Sequence, residues 1–416
     1  MQLRPYQIEI ANAALDRLNR YKIAYLSMQV RTGKTLTALE TAKLYGAKFI
    51  LFVTKKKAIS SIQDDCQHYA SDFDCIIINY EQLHRFESKV DLVIIDEAHS
   101  LGQFPKPAER TQMLKKICEF KPIIYLSGTP SPESYSQIYH QLYVSSYSPF
   151  IEPNFYKWAK AGYVSISHKY LYNRAVNDYS NANELLITAK IAHLFLSYTQ
   201  EEAGFTQLVE EMIENVEMSD KTKNIIRILK RDKVITGRDG HVIEGDTAVK
   251  LLNKIHQLCS GTCIYDNSPD MVDGALMDET KANYIFDKFR GKKMAIFHKF
   301  RAEKLQLQIT AQKNGCRITD SPDEFNNSDA SIIFVSQFVS GREGVNLSKA
   351  DLLICYNIDF SAVTYFQVRA RLQTKDRTDP AKVHWLFMNG GIEHDIYEQV
   401  SNKKNYTLSY FKKHTK

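Results

Sequence analysis

No apolar run in the 416 residues is long enough to span a bilayer, and no charged-then-apolar secretory leader opens the chain. The protein is therefore expected in the cytoplasm, without a membrane partner. Cysteine is sparse: seven are scattered along the chain, and the odd count excludes a complete intramolecular disulfide framework. Cys259 and Cys263 stand four apart, but no second Cys or His pair lies at zinc-site spacing, so core or surface thiols are expected there. Nor does one sign of charge dominate. With 54 basic and 48 acidic residues, the net charge of +6 permits a polyanionic partner without demanding one, and a well-solvated surface accounts for it equally. Hydrophobic content of 44% and charged content of 25% are ordinary for a globular chain, and the length suffices for two to three domains.

The stretch that organises the chain is MQVRTGKT, Met28–Thr35, which follows a short apolar run. Gly33 permits a tight turn and close backbone approach to an anion. Lys34 is suited to neutralise the β- and γ-phosphates of a nucleotide, and the Thr35 hydroxyl to hold Mg²⁺. The following LTALETAKLY reads as a helix whose N-terminus faces the same phosphates. The G-x-x-x-x-G-K-T pattern asks for Gly at position 28 and meets Met28 instead.

Around this loop, short β-branched runs alternate with helix-length segments: 23–28, 48–54, 75–80, 91–97 and 122–128. Such a pattern predicts an α/β fold with a parallel sheet covered on both faces, where ligands gather at the carboxyl ends of the strands. Lys34, the run Asp96-Glu97-Ala98-His99 and the run Ser127-Gly128-Thr129 all fall at such ends. Asp96 is placed to hold Mg²⁺ through water and Glu97 to orient or deprotonate an attacking water, with His99, Ser127 and Thr129 sensing phosphate. Taken alone, a D-E-A-H run is also an ordinary acidic helix start.

Residues 131–275 are rich in Tyr and carry Trp158; such aromatics either stack on bases or pack a helix bundle. The segments 182–204 and 206–218 read as helices, 233–246 as a hairpin around Asp239-Gly240, and 247–261 as a helix ended by Gly261. A second strand–helix alternation then follows (292–298, 331–336, 351–357 and 382–388), without a phosphate loop. The expected division is a first lobe over 1–145, a helical insertion with a hairpin over 146–275, and a second lobe over 276–416.

Six motifs, LRPYQ, RTGKT, VTKKKAI, INYEQL, IIDEAH and LSGTP, occur in the order found in superfamily 2 helicases. The chain resembles the Swi/Snf-type translocase branch, in a compact form similar to bacteriophage-encoded helicases. The resemblance implies two tandem RecA-like lobes with ATP and Mg²⁺ as cofactors. It assigns nucleotide binding to Arg4, Gln7, Arg31, Thr32, Gly33, Lys34, Thr35, His99 and Gly344. Contacts to nucleic acid go to Thr54, Lys55, Asn79, Tyr80, Ser340 and Arg342, the last two within SGREGVNL. In FQVRARLQTKDR, Gln367 and Arg371 fit the last motif, whereas its second arginine meets Thr374; Arg369, Lys375 and Arg377 are the substitutes at hand. A basic helix face in water is the alternative for these arginines.

What the resemblance implies is a DNA-dependent ATPase that moves on or unwinds single-stranded, duplex or branched DNA. Its grip would fall on the backbone, independent of sequence. The setting would be viral replication, recombination or repair in a bacterial or infected-host cytoplasm, alongside replication or recombination proteins. The motifs also fit an RNA helicase, a non-hydrolysing clamp, or a remodeller of protein–DNA complexes. No nuclease, zinc or reader module is recognisable, so targeting would come from the middle segment, the basic tail or another protein.

Overall fold

The computed structural model describes residues 3–132, 134–171, 174–204, 209–267, 274–338, 347, 349–369, 371 and 380–402. The chain divides into two units, Met1–Phe205 and Thr206–Lys416.

In the first unit, helix α1 (Pro5–Tyr21) opens with Pro at its first turn, and the Gln7 side chain accepts the Arg4 N–H, closing that turn. Ile10, Ala11, Ala14 and Leu18 form its buried stripe. Six parallel strands follow: β1 (Ile23–Met28), β2 (Phe49–Thr54), β3 (Asp74–Asn79), β4 (Leu92–Ile95), β5 (Ile123–Leu126) and β6 (Phe195–Tyr198). Their order across the sheet is β3-β2-β4-β5-β1-β6. Alternate residues serve opposite faces. Ile23, Tyr25, Val53 and Ile95 join one apolar core, whereas Ala24, Leu26, Met28 and Phe52 join the other. Both faces are covered, which is why these strands read as nearly continuous apolar runs. Helix α2 (Lys34–Tyr45) starts from Gly33 and stops at Gly46, both in the left-handed region.

The second unit repeats the plan with β7 (Val209–Val216), β8 (Met294–His298), β9 (Arg317–Thr319), β10 (Ile332–Gln337), β11 (Leu352–Cys355) and β12 (Ala381–Met388). These strands are also all parallel, in the order β9-β10-β8-β11-β12-β7. The two tandem parallel sheets with flanking helices match the predicted fold class. The hairpin around Asp239-Gly240 is present, pairing Val234–Thr236 with Val242–Glu244.

Of the two segments expected to be helical over 182–204 and 206–218, the first forms a helix over Glu184–Ile191 and then a strand, and the second is a strand. β6 pairs with β1, and β7 pairs with β12 over eight residues. Both lie at sheet edges, and in β7 pairing and side-chain bonding override the helix preference of a glutamate-rich sequence. The middle of the chain supplies one edge strand to each sheet. The Tyr-rich stretch packs rather than lying open. Trp158 is fully buried and stacks on Tyr163, with Tyr139, Phe150 and Phe155 around it. No helix among the described residues is long and apolar enough to cross a membrane.

Asp278 ties the second unit's helices together. Its carboxylate accepts the Ser219, Thr222 and Thr280 hydroxyls, at 2.5, 2.7 and 2.5 Å, and the Thr280 N–H at 2.9 Å. Burial works to raise this carboxyl, but the bonds from Ser219, Thr222 and Thr280 outweigh it and hold it well below the carboxylate range. A depressed carboxyl contributes stability that is present above its unfolded value of 3.8 and lost as pH falls through its folded value. Asp278→Ala is therefore expected to destabilise the second unit by about 2 kcal/mol at neutral pH. In thermal melts of both chains, that gap should narrow below pH 4; a constant gap would refute the assignment.

Candidate functional site

The phosphate loop leaves the carboxyl end of β1, between the ends of β5 and β6. Met28, where the pattern wants Gly, is buried in the core with Ala38 and Leu39, so the loop turns only after it. Arg31 has φ 64° and Gly33 φ 82°. Only glycine adopts the latter freely, and a Cβ on Gly33 would lie 2.1 Å from the Gln7 amide nitrogen. Burial alone lowers Arg31 to about 10, leaving it a cation at neutral pH. Thr32 is buried and its hydroxyl donates to the Gln29 carbonyl at 2.8 Å. Lys34 begins α2, half-buried, with Nζ 3.3 Å from the same carbonyl. Thr35 follows, half-buried, on the first turn.

Gln7 and Arg4 converge on this loop. Gln7 donates to the Gly33 carbonyl at 3.3 Å. The Arg4 guanidinium donates to the Tyr6 hydroxyl, which donates onward to the Thr32 carbonyl, both at 3.0 Å. Tyr6 stacks on Tyr198 with ring centroids 4.5 Å apart. The motif reading named neither aromatic ring as a contact; Tyr198 lay in a segment read as helix.

Asp96 and Glu97 follow β4. The Asp96 carboxylate accepts the Thr54 hydroxyl at 2.8 Å and the Glu97 N–H at 2.9 Å. Burial and the neighbouring Glu97 carboxylate raise Asp96 to about 6; the Thr54 bond and the Lys34 charge pull the other way. Lys34 and Asp96 thus belong to one electrostatic neighbourhood. Glu97 sits at φ 50°, a left-handed conformation rare for a side chain with a Cβ, of the sort found at functional sites. Its carboxylate lies 3.2 Å from His99 Nδ1, which is 3.0 Å from the Ser127 hydroxyl; Ser127 in turn accepts the Thr129 N–H at 3.2 Å. All the acidic and sensing residues expected at this sheet end are brought together.

Three residues expected to touch nucleic acid have other duties. Thr54 is fully buried and bonded to Asp96. Asn79 is buried, and its side chain caps the turn that follows by accepting the Gln82 N–H at 2.9 Å. Tyr80 is buried, with its hydroxyl donating to the Asp96 carbonyl. Thr54 and Tyr80 thus brace the acidic strand end, and Asn79 caps the turn that carries Tyr80. Lys55 stays half-buried, with exposed Lys56 and Lys57 beside it.

In the second unit, Gln367 lies buried on helix α3 (Ala362–Arg369), and Arg371 is buried just beyond it. Arg369, one substitute for the missing arginine, is instead held by Glu211 of β7 at 2.6 Å. Glu211 also accepts the Tyr365 hydroxyl and the Trp385 indole N–H, each at 2.9 Å. Ser340, Arg342, Gly344, Thr374, Lys375 and Arg377 lie outside the described residues.

Among the described residues, no group of three or more His, Cys, Asp and Glu side chains is arranged to hold a metal ion by itself. A Mg²⁺ ion at this strand end would depend on phosphate oxygens as co-ligands, with Thr35 and Asp96 supplying the protein's share. This hydroxyl-and-carboxylate donor set fits a hard cation.

Residues 1–79 match the family described as type III restriction enzyme, res subunit. A Drosophila melanogaster SWI/SNF-related matrix-associated actin-dependent regulator of chromatin, subfamily A-like protein 1, is 21% identical over 97% of this chain and 55% of its own length. The Saccharomyces cerevisiae ISWI chromatin-remodeling complex ATPase ISW1 is 21% identical over 97% of this chain and 40% of its own. The chain thus spans about half the length of these relatives or less. Among solved structures, the Sulfolobus solfataricus SWI2/SNF2 ATPase core domain aligns over 97% of this chain and 89% of its own, at 16% identity and a TM-score of 0.42.

Proposed function

We propose that the chain is a nucleic-acid-dependent ATPase of the Swi/Snf-like kind, coupling ATP hydrolysis to movement on DNA. One observation carries the reading: a left-handed glycine feeds Lys34 into the start of a helix, close enough to Asp96 for the lysine's charge to act on that carboxylate. The loop and helix start would hold the phosphates through backbone N–H groups, with Lys34 neutralising their charge. Bound Mg²⁺ would supply charge neutralisation to the phosphates. Thr35 and Asp96 would hold it, with Thr54 and the Glu97 N–H fixing the Asp96 carboxylate. Glu97 would take a proton from the attacking water, and its contact with His99 keeps the carboxylate aimed. On the resemblance of FQVRARLQTKDR to the family's last motif, we also propose Arg371 as a catalytic cation.

DNA as the track is supported by the motif order and by the similarity to relatives named as chromatin-remodelling proteins. We propose a viral setting in replication, recombination or repair on the motif resemblance alone. The deciding measurement is steady-state ATP hydrolysis with no nucleic acid, single-stranded DNA, duplex DNA, forked DNA and single-stranded RNA, with Glu97→Gln as the blank. Stimulation by DNA that vanishes in the blank is the expected result. Stimulation by RNA alone would move the chain to the RNA helicases, and binding without hydrolysis would make it a clamp.

A further inference from the structure

The sheet order places β1 between β5 and β6, so the loop leaving β1 has two neighbours at its strand end. On the β5 side is Gly128, where an added Cβ would come within 3.3 Å of the Met28 carbonyl and 3.6 Å of the Val30 nitrogen. That flank belongs to the Ser127-Gly128-Thr129 run. The β6 side holds the loop by direct bonds. The Gln29 N–H donates to the Tyr198 carbonyl at 2.9 Å, the Gln200 N–H to the Gln29 side-chain oxygen at 2.9 Å, and the Gln200 side-chain amide to the Val30 carbonyl at 3.0 Å.

The turn that presents Gln200 is itself locked. The Glu202 carboxylate accepts both the N–H and the hydroxyl of Thr199, at 2.7 and 2.8 Å, and the Tyr198 hydroxyl donates to the Glu202 carbonyl at 2.9 Å. Tyr198 also stacks on Tyr6, whose hydroxyl reaches the Thr32 carbonyl. A rigid turn at the end of the first unit therefore grips the loop at Gln29, Val30 and, through Tyr6, Thr32.

We propose that Gln200 is a positioning residue for the phosphate loop, acting through Val30 and Gln29 and touching no substrate. The Gln29 carbonyl accepts both Lys34 and Thr32. The bonds to Gln200 and Tyr198 hold Gln29 and Val30 without involving Lys34. A loop already fixed in the binding conformation spares the ordering cost on binding, so the brace should show in ATP affinity more than in turnover. This inference rests on the ATP-binding reading above only for its kinetic consequence.

Two readouts on the full chain separate the two claims. Gln200→Ala is expected to raise KM for ATP about tenfold while kcat changes far less, the size expected for one lost hydrogen bond that orders a loop. Gln200→Glu, which cannot donate to the Val30 carbonyl, should be at least as impaired. Gln29→Ala, which removes the acceptor of the Gln200 backbone N–H, should raise KM in the same direction. Independently of ATP, amide hydrogen exchange in the ligand-free Gln200→Ala chain should quicken over residues 29–35 and stay unchanged over β2 and β4. Quickened exchange in a chain that never binds ATP would keep the brace and reject the nucleotide site. Normal ATP binding with unchanged KM and unchanged exchange would overturn the brace, as would a uniform loss of melting temperature with kcat and KM falling together.

Discussion

Replacing Lys34 by alanine is expected to lower DNA-stimulated ATP hydrolysis by at least roughly 10²–10³-fold, the loss usual for removing one charge-stabilising group from a preorganised site. The structure argues that this loss will come without unfolding. Lys34 is half-buried, and its Nζ lies 3.3 Å from the Gln29 carbonyl on the loop it belongs to. Thr37, one turn on, keeps the helix start bonded through its hydroxyl to the Gly33 carbonyl at 3.0 Å, and that bond does not involve Lys34. The variant should therefore retain its circular dichroism spectrum and its affinity for DNA in a filter-binding assay. A Lys34→Ala chain that hydrolyses ATP within about tenfold of the parent would sink the assignment of this loop, since no charge-stabilising role is so weak. Simultaneous loss of DNA binding and helix signal would instead make Lys34 a folding residue.

The turn after β1 and the helix it opens could be placed from sequence because their signal is local: a glycine, a lysine and a hydroxyl in consecutive positions, following a strand and opening a helix. The strands were legible for a related reason, since burial on both faces leaves little but β-branched and aromatic residues along them. What the sequence did not convey was which way side chains at the strand ends are turned. Thr54, Asn79 and Tyr80 stand in motifs associated with nucleic-acid contacts, yet β2 lies beside β4, with the Asp96 N–H bonded to the Val53 carbonyl. That neighbour relation brings Thr54 onto Asp96, and no run of residues encodes it. The edge strands were misread for a similar reason. In Val209–Val216 the glutamates look like a solvated helix face. In the fold, Glu211 collects Arg369, Tyr365 and Trp385, and Glu214 takes Lys288, Tyr284 and His384, at 2.5 to 2.9 Å. Their charge is used in bonding that only the tertiary fold creates.

The largest stability effect is expected at Lys281. Its ammonium group and the Glu393 carboxylate are both wholly inaccessible to water and lie 2.7 Å apart. Lys281 also donates to the Leu386 carbonyl at 3.0 Å, so the helix Thr280–Lys288, the strand β12 and the helix Glu393–Ser401 meet at one charge. Lys281→Met would leave Glu393 buried without a counter-charge, which costs about 3–5 kcal/mol. Pairing it with Glu393→Leu removes both charges, and that double variant should recover most of the loss or all of it, because two buried ions forfeit their hydration for the attraction they gain. The chain's only two tryptophans make this measurable, since Trp158 lies in the first unit and Trp385 in the second. Urea unfolding in a Trp158→Phe background, followed by Trp385 fluorescence, reports on the second unit. A single variant within about 1 kcal/mol of the parent would mean that the fold relaxes to admit water to Glu393, contrary to a closed core. A double variant as unstable as the single one would mean that the lysine's bond to the Leu386 carbonyl, and not its charge, is what holds the three elements together.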